Sequence, residues 1–215
     1  MALLHSLRSR RLWLGALSIA TVFGVYIWIT NQPDNNPAHL PPILYLMPSF
    51  KTDLTSGSLL TALGASLFRI AMGFFIGTTL ALIVGCLVGW YKTVEYLLDP
   101  LIEALRPIPP LAYIPIIIIW FGIGEFSRVL IITIACFMVC VVNVIAGMKN
   151  VPQVYVDAAS TMGASRFQVF RTVAVPAATP FIITGYRIAL AAAWTTLVAS
   201  ELLAAQNGLG FLLQE

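Results

Sequence analysis

From Ser58 to Trp90 the chain reads SLLTALGASLFRIAMGFFIGTTLALIVGCLVGW, with Arg69 as its one charged residue. At about 1.5 Å per helical residue, such a run outlasts the ~30 Å hydrocarbon core of a bilayer. Comparable runs occupy 12–29, 128–147 and 181–203. Hydrophobic residues make up 59% of the 215, charged residues only 10%, and the mean hydropathy is +0.90, so the solvent for this chain is lipid. Hydrocarbon offers no partner to a bare peptide group, which restricts spanning segments to helices or a closed barrel. The runs are continuous rather than alternating. The expected fold class is therefore an all-α integral membrane protein.

The same composition excludes other classes. A net charge of +3 comes from 12 basic and 9 acidic residues spread along the chain, which makes neither a nucleic-acid surface nor a polybasic lipid anchor. Cys86, Cys136 and Cys140 all lie in apolar runs and read as buried thiols. Cys136 and Cys140 share a helix face, but no His or carboxylate is placed to complete a metal site. His5 and His39 stand alone, and no G-x-x-x-x-G-K-[ST] occurs. No catalytic residue, metal or cofactor is expected.

Arg8, Arg10 and Arg11 precede the run 12–29, which ends in Tyr26-Ile27-Trp28-Ile29 rather than a small-residue cleavage site. It reads as an uncleaved anchor with a cytoplasmic N-terminus. Thr30 to Gly57 carries Pro33, Pro37, Pro41, Pro42 and Pro48, a helix-breaking composition that suits an external loop. The second span, 58–90, returns the chain to the cytoplasm at Tyr91 and Lys92, with Arg69 near the outer boundary. An amphipathic lead-in, 94–106, then meets Pro107-Ile108-Pro109-Pro110 and the run 111–121. Three prolines in four residues predict a break followed by a short half-helix. The break is either a hinge or, through free N–H groups near Leu111 to Tyr113, a seat for an anion. The fourth and fifth spans are 128–147, ending inside at Lys149, and 181–203, ending outside. Arg8, Arg10, Arg11, Lys92, Lys149, Arg166 and Arg171 then share the cytoplasmic side, with Lys51 as the external exception. Asn207-Gly208-Leu209-Gly210 reads as a turn preparing one more helix, so five spans are expected and a sixth is missing. Residues 1–57 form an anchor helix with an external Pro-rich loop, and 58–215 form the transmembrane domain.

Residues 150–178 interrupt the apolar pattern. Asn150 is placed to cap a short helix running to about Met162, with Pro152 in its first turn and Gln153 three residues on. Gly163 suits a left-handed stop. Ser165 and Gln168 have the spacing of a capping box opening a second helix, which Pro176 ends. Val154, Ala158 and Met162 share a face of the first helix, Phe167 and Phe170 a face of the second. A capped pair of this kind presents a fixed knob to the cytosol, where a partner can push.

Those residues carry a resemblance. Asp157-Ala158-Ala159, Gly163 and Val173-Ala174-Val175-Pro176 resemble the cytoplasmic E-A-A-x3-G-x9-I-x-L-P loop of ATP-binding-cassette importer permeases, with Asp for Glu and Val for Ile and Leu. RPIPPLAYIPIIIIWFGIGEFSR and ITGYRIALAAAWTTLVASELLAAQNGLGF are similar more narrowly to the nitrate, sulfonate and taurine branch, and within it to the taurine permeases. The resemblance covers most of Ser58 to Leu213. It implies a type I permease fold whose coupling residues are Asp157, Ala158, Ala159, Gly163, Ser165, Arg166, Phe167, Phe170 and Pro176, seated in a cleft of a separate ATPase subunit. It also implies an external substrate-binding protein, a second copy of the permease around a shared pore, surrounding membrane lipid, and no chemistry in this chain. The expected place is the bacterial inner membrane and the expected cargo taurine or a related sulfonate, with nitrate or bicarbonate as alternatives.

Polar residues inside spans mark candidate pathway positions: Asn143 in the fourth span, and Trp194, Thr195, Thr196 and Ser200 in the fifth. Helix packing, with hydroxyls bonded back to their own helix, accounts for them equally well. Gly185, Ala189 and Ala193 form a small-residue row that lets the fifth span approach another helix closely, a helix of a second copy being one candidate. Glu201 with Gly208-Leu209-Gly210 reads as an outer gate met by the binding protein, or as an exposed interfacial carboxylate. Arg106 and Arg187 read as snorkelling or paired cations toward the cytoplasmic side, with Glu103 the nearest acid to Arg106. Broken helices and buried polar groups also occur in ATP-independent secondary transporters and channels, and a scaffold subunit without a pathway is the third reading; the loop motif favours a partner ATPase.

Overall fold

The computed structural model describes residues 2–32, 42–204 and 207–212, and among these every regular element is helical. The chain divides into two units, residues 1–58 and 59–215. In the first, α1 (Ala2–Thr30) carries the apolar window Trp13–Thr30, along which Trp13, Leu17, Phe23 and Trp28 are exposed, as lipid-facing side chains are.

The stretch expected as a plain loop contains a helix, α2 (Ile43–Ser56), with Pro48 inside it. The prolines that would block a helix gather ahead of it. Pro42 is its N-cap, while Pro33, Pro37 and Pro41, with His39, lie outside the described residues. Pro48 alone falls within, where its missing N–H removes one main-chain bond. Gly57, at φ +78°, takes the left-handed conformation that stops α2.

The second unit is built on three long apolar helices: α3 (Ser58–Trp90), α6 (Glu125–Lys149) and α9 (Val175–Ala204). α3 meets α6 through a row with four-residue spacing, Gly73, Gly77, Ala81, Gly85 and Gly89. A Cβ on Gly77 would come within 2.5 Å of the Thr133 carbonyl oxygen, and one on Gly85 within 2.7 Å of Val144. Only glycine lets the two backbones approach this closely, the device by which membrane helices gain contact without a hydrophobic drive.

α9 meets α6 through Gly185, Ala189 and Ala193. Gly185 leaves room for Asn143 and Cys140, and Cys136 Sγ lies 3.5 Å from the Ala189 carbonyl oxygen. The close approach expected of the row is made, and its partner is α6 of the same chain rather than a second copy. The bulk of Cys140 and Asn143 on α6 needs a small-residue face, and α9 supplies it within the same chain. The three cysteines are free and buried, as expected of packing thiols.

Between α3 and α6 the chain breaks where the prolines predict. α4 (Lys92–Leu105) ends, a 3-10 turn follows (Pro110–Tyr113), and α5 (Ile114–Phe121) completes a pair bent by 88°. The Ala112 N–H donates to the Pro109 carbonyl at 2.9 Å, so the turn uses a group that an anion seat would need, which favours the hinge. Val94, Leu98 and Ile102 of α4 pack on the core while Tyr96, Leu97 and Leu101 are exposed. Lys149 joins the end of α6 to α4 by bonds to Glu95 at 2.8 Å and Asp99 at 3.6 Å, and Arg106 pairs with Glu103 at 3.3 Å. Length and composition give four membrane-crossing helices, or five when the bent pair counts as one crossing, consistent with the five expected.

After Lys149 come α7 (Gln153–Thr161), α8 (Arg166–Val169) and a π turn (Phe170–Ala174) leading into α9; a short α10 (Leu209–Leu212) follows it. Pro176 does not end the second helix of the loop. The backbone stays helical from Arg166 to Ala204 because the π turn, where the Val175 N–H reaches the Phe170 carbonyl, shifts the bonding register just ahead of the residue with no N–H to donate.

Candidate functional site

Two local devices build the corner between α7 and α8. Gly163 sits at φ +84°; its N–H donates to the Ser160 carbonyl at 3.0 Å and the Ala164 N–H to the Ala159 carbonyl at 3.1 Å, the paired bonds of a Schellman stop. Ser165 then opens α8 with a reciprocal cap. Its N–H donates to Gln168 Oε1 at 2.7 Å, and its Oγ accepts from the Gln168 N–H at 3.3 Å. Both follow the sequence expectation. Asn150 does not. It closes α6, with Nδ2 donating to the Ala146 carbonyl at 2.7 Å, while α7 begins after Pro152 without a side-chain cap. α6 runs on to Lys149, so Asn150 is taken up by that helix, and Gln153 Nε2 donates instead to Asp157 Oδ1 at 2.9 Å.

The corner projects apolar side chains into open space: Val154 is 65% exposed, Met162 81% and Phe167 63%. Asp157, Ala158, Gly163, Ser165, Arg166 and Pro176 are also exposed, and Ala159 is half-buried. Phe170 packs inward. Its ring centroid lies 5.7 Å from that of Trp90 at the end of α3, with Tyr91 and Phe167 each at 6.4 Å. Phe170 therefore anchors the knob from the face it shares with Phe167.

The five candidate pathway residues are not brought together. Thr196 and Ser200 are buried, Ser200 Oγ donating to the Leu197 carbonyl at 2.8 Å. Asn143 lies beside Gly185 and donates to the Val139 carbonyl at 2.8 Å. Trp194 and Thr195 are exposed on α9.

The end of the unit away from the knob holds a charged cluster that the sequence reading met only in pieces. Arg69 and Glu201 are both fully buried and hydrogen-bonded to each other through Nη1 and Oε1. Arg69 also grips Glu125 with two bonds, Nε to Oε2 at 2.7 Å and Nη2 to Oε1 at 2.6 Å. Arg128 Nη1 donates to the same Glu125 at 2.7 Å. The remaining lone pairs of Glu201 are met by Ser66 Oγ at 2.7 Å and by the Gly210 N–H at 2.8 Å. The turn after α9 folds back onto this pair: the Asn207 carbonyl accepts from Arg69 at 3.1 Å, and the Leu209 N–H donates to Ser66 Oγ at 3.0 Å. Gly208, at φ +122°, leaves no space for a side chain, since a Cβ would lie 2.4 Å from Glu201 Oε1. Glu201 is thus not an exposed interfacial carboxylate, and Arg69 is buried against it. Two cations and two carboxylates satisfy each other and bind α3, α6 and α9 at one end, the arrangement that makes buried charge tolerable. The signal available beforehand was Arg69 itself, a charge that an apolar helix can keep only with a partner.

Residues 77–215 match the family described as the binding-protein-dependent transport system inner membrane component. The chain belongs to this family. Among its relatives, the taurine transport system permease protein TauC of Escherichia coli is 41% identical over 211 residues, which cover 96% of this chain and 77% of the relative. The putative aliphatic sulfonates transport permease protein SsuC of Bacillus subtilis is 32% identical over 209 residues, covering 97% and 76%. A chain of the MetNI methionine ABC transporter, solved in inward-facing conformations, matches with a TM-score of 0.61 at 21% identity, over 71% of this chain and 77% of that one. The importer-permease resemblance carried by residues 106–128, 157–176 and 183–211 is thereby borne out, fold included. The permease is the membrane subunit of an ATP-driven importer, a transport component that works with an ATPase and a binding protein.

Proposed function

We propose that this permease carries taurine or a closely related sulfonate into the cell, driven at the α7–α8 corner by the ATPase. The observation that carries the reading is a rigid, doubly capped corner with Val154, Met162 and Phe167 exposed and Phe170 pinning it to α3. Asp157, Ala158, Ala159, Gly163, Ser165, Arg166 and Phe167 form the docking side, with Phe170 and Pro176 transmitting movement toward α9. In this arrangement the N-terminus and the Lys149 end face the cytoplasm, which places Lys92, Lys149, Arg166 and Arg171 inside, in accord with the positive-inside rule. The binding protein delivers solute at the opposite end, where Glu201 and the Gly208 turn form the gate. Two copies enclose the path, with Asn143, Trp194, Thr195, Thr196 and Ser200 near it, and lipid covers the apolar faces. The sulfonate class is supported by the relatives named for taurine and aliphatic sulfonates.

The docking reading is tested by Gly163→Val and Asp157→Lys. A β-branched side chain at φ +84° distorts the corner, and the charge reversal alters the docking side. Co-purification of the ATPase is expected to fall at least tenfold in each, whereas undiminished association together with undiminished uptake refutes the role. For the cargo, thermal shifts of the partner binding protein are measured with taurine, alkanesulfonates, nitrate and bicarbonate. Sulfonates are expected to raise its midpoint, and a response to nitrate or bicarbonate alone reassigns the substrate.

A further inference from the structure

Arg187 sits at a depth where a cation has few options. Cys136 lies against Ala189, and Gly185 faces Cys140 and Asn143. Arg187 is therefore level with the part of α6 near Val139, roughly ten residues or about 15 Å from Lys149. That is well inside a span, level with the middle of α6, where the sequence alone says only that it lies toward the cytoplasmic side. Its side chain is exposed, and among the described residues no ion pair or hydrogen bond reaches it.

The face on which it stands is turned away from α6. Helical geometry puts Thr184, Arg187, Ala191 and Thr195 in one exposed stripe, opposite the buried Gly185, Ala189 and Ala193. Aliphatic side chains border it, Ile183 and Leu190 along one edge and Ile188 along the other. Thr184 and Thr195 direct their hydroxyl protons to their own helix, onto the Pro180 carbonyl at 2.9 Å and the Ala192 carbonyl at 3.0 Å. Arg187 is consequently the stripe's charge and its free donor.

A guanidinium turned toward lipid is costly, and charged residues within spans either pair or face water. The described residues of a second copy bring no countercharge to this depth. Among the described residues every acid lies near an end of a long helix or in the segments between them, the nearest on α9 being Glu201. A mobile counter-ion fits this place.

We infer that Arg187 lines a water-filled path along α9 and binds the anionic group of the passing solute, a small oxoanion of the sulfonate kind. The inference rests on the permease reading and adds a binding residue to it. The planar fork of a guanidinium matches two oxygens of such a group, which an ammonium does not.

The test uses Ala191→Cys, one turn along the same stripe, in the full-length chain in membranes; the native Cys86, Cys136 and Cys140 are buried and stay silent. Its reaction rates with an anionic (sulfonatoethyl) and a cationic (trimethylammonioethyl) methanethiosulfonate are compared, each relative to a free thiol. The anionic reagent is expected to react faster, and adding Arg187→Gln to reduce that preference at least tenfold, while Arg187→Lys keeps it. Failure of both reagents to react, or a preference that Arg187→Gln leaves intact, overturns the inference. In proteoliposomes with ATPase and binding protein, Arg187→Gln is expected to lower sulfonate uptake at least tenfold while the ATPase still co-purifies and Arg187→Lys restores part of the rate; unchanged uptake overturns it as well. Should the unsubstituted complex move no solute, the import reading fails and the thiol rates still decide the place of Arg187.

Discussion

Arg69 holds two carboxylates at once, and they are not equivalent. Glu201 is fully buried, whereas the Glu125 side chain is 55% exposed. Replacing Glu201 by Ala leaves Arg69 with Glu125 as its one carboxylate and takes the Glu201 acceptor from Ser66 Oγ and the Gly210 N–H, a loss of about 2–4 kcal/mol. The thermal unfolding midpoint of the detergent-solubilised permease is expected to drop accordingly. Glu125→Ala, measured in the same way, is expected to cost about 1 kcal/mol or less, since water can replace a half-exposed carboxylate. Gly208→Ala belongs with the first case, because it adds a Cβ 2.4 Å from Glu201 Oε1 at a φ of +122°. That Arg69 needed a partner was legible in its apolar surroundings. Which partner was not: Glu201 lies 132 residues away, and no local pattern links two single charges on different helices.

At the level of the helices, contact is set by where side chains are absent. Gly77→Val on α3 drives a branched side chain into the Thr133 carbonyl, a backbone atom that cannot move aside. A loss of about 1–3 kcal/mol is expected, read as a lowered unfolding midpoint. Gly64→Ala on the same helix meets nothing within 4 Å and is expected to raise stability by up to about 1 kcal/mol through helix propensity alone. The elements and their punctuation were largely readable, because caps and stops are local. Ser165 with Gln168, Gly163, and the proline cluster at 107–110 each act on their immediate neighbours. Asn150 and Pro176 were misread, and the partner of the Gly185 row left open, for a different reason. Asn150 could close one helix or open the next, the fate of Pro176 hung on the bonding register of the preceding turn, and a small-residue row does not say which helix will lie on it.

For the whole molecule, the docking reading proposed above makes the knob a surface whose value is realised only with a partner. Met162→Glu and Phe167→Glu change exposed side chains, so the unfolding midpoint is expected to shift by no more than about 0.5 kcal/mol in stability. ATPase co-purification is expected to fall at least tenfold in the same proteins, and a loss of fold instead would show that these residues serve the chain itself. The run Arg166–Leu203 spans 38 residues, about 57 Å of helix at the usual rise. It begins at the corner and finishes beside Glu201 without a loop anywhere along it. On the docking reading proposed above, such a shaft is a crank: torque applied at its inner tip passes the π turn and arrives at the far tip as strain on the Arg69 clamp.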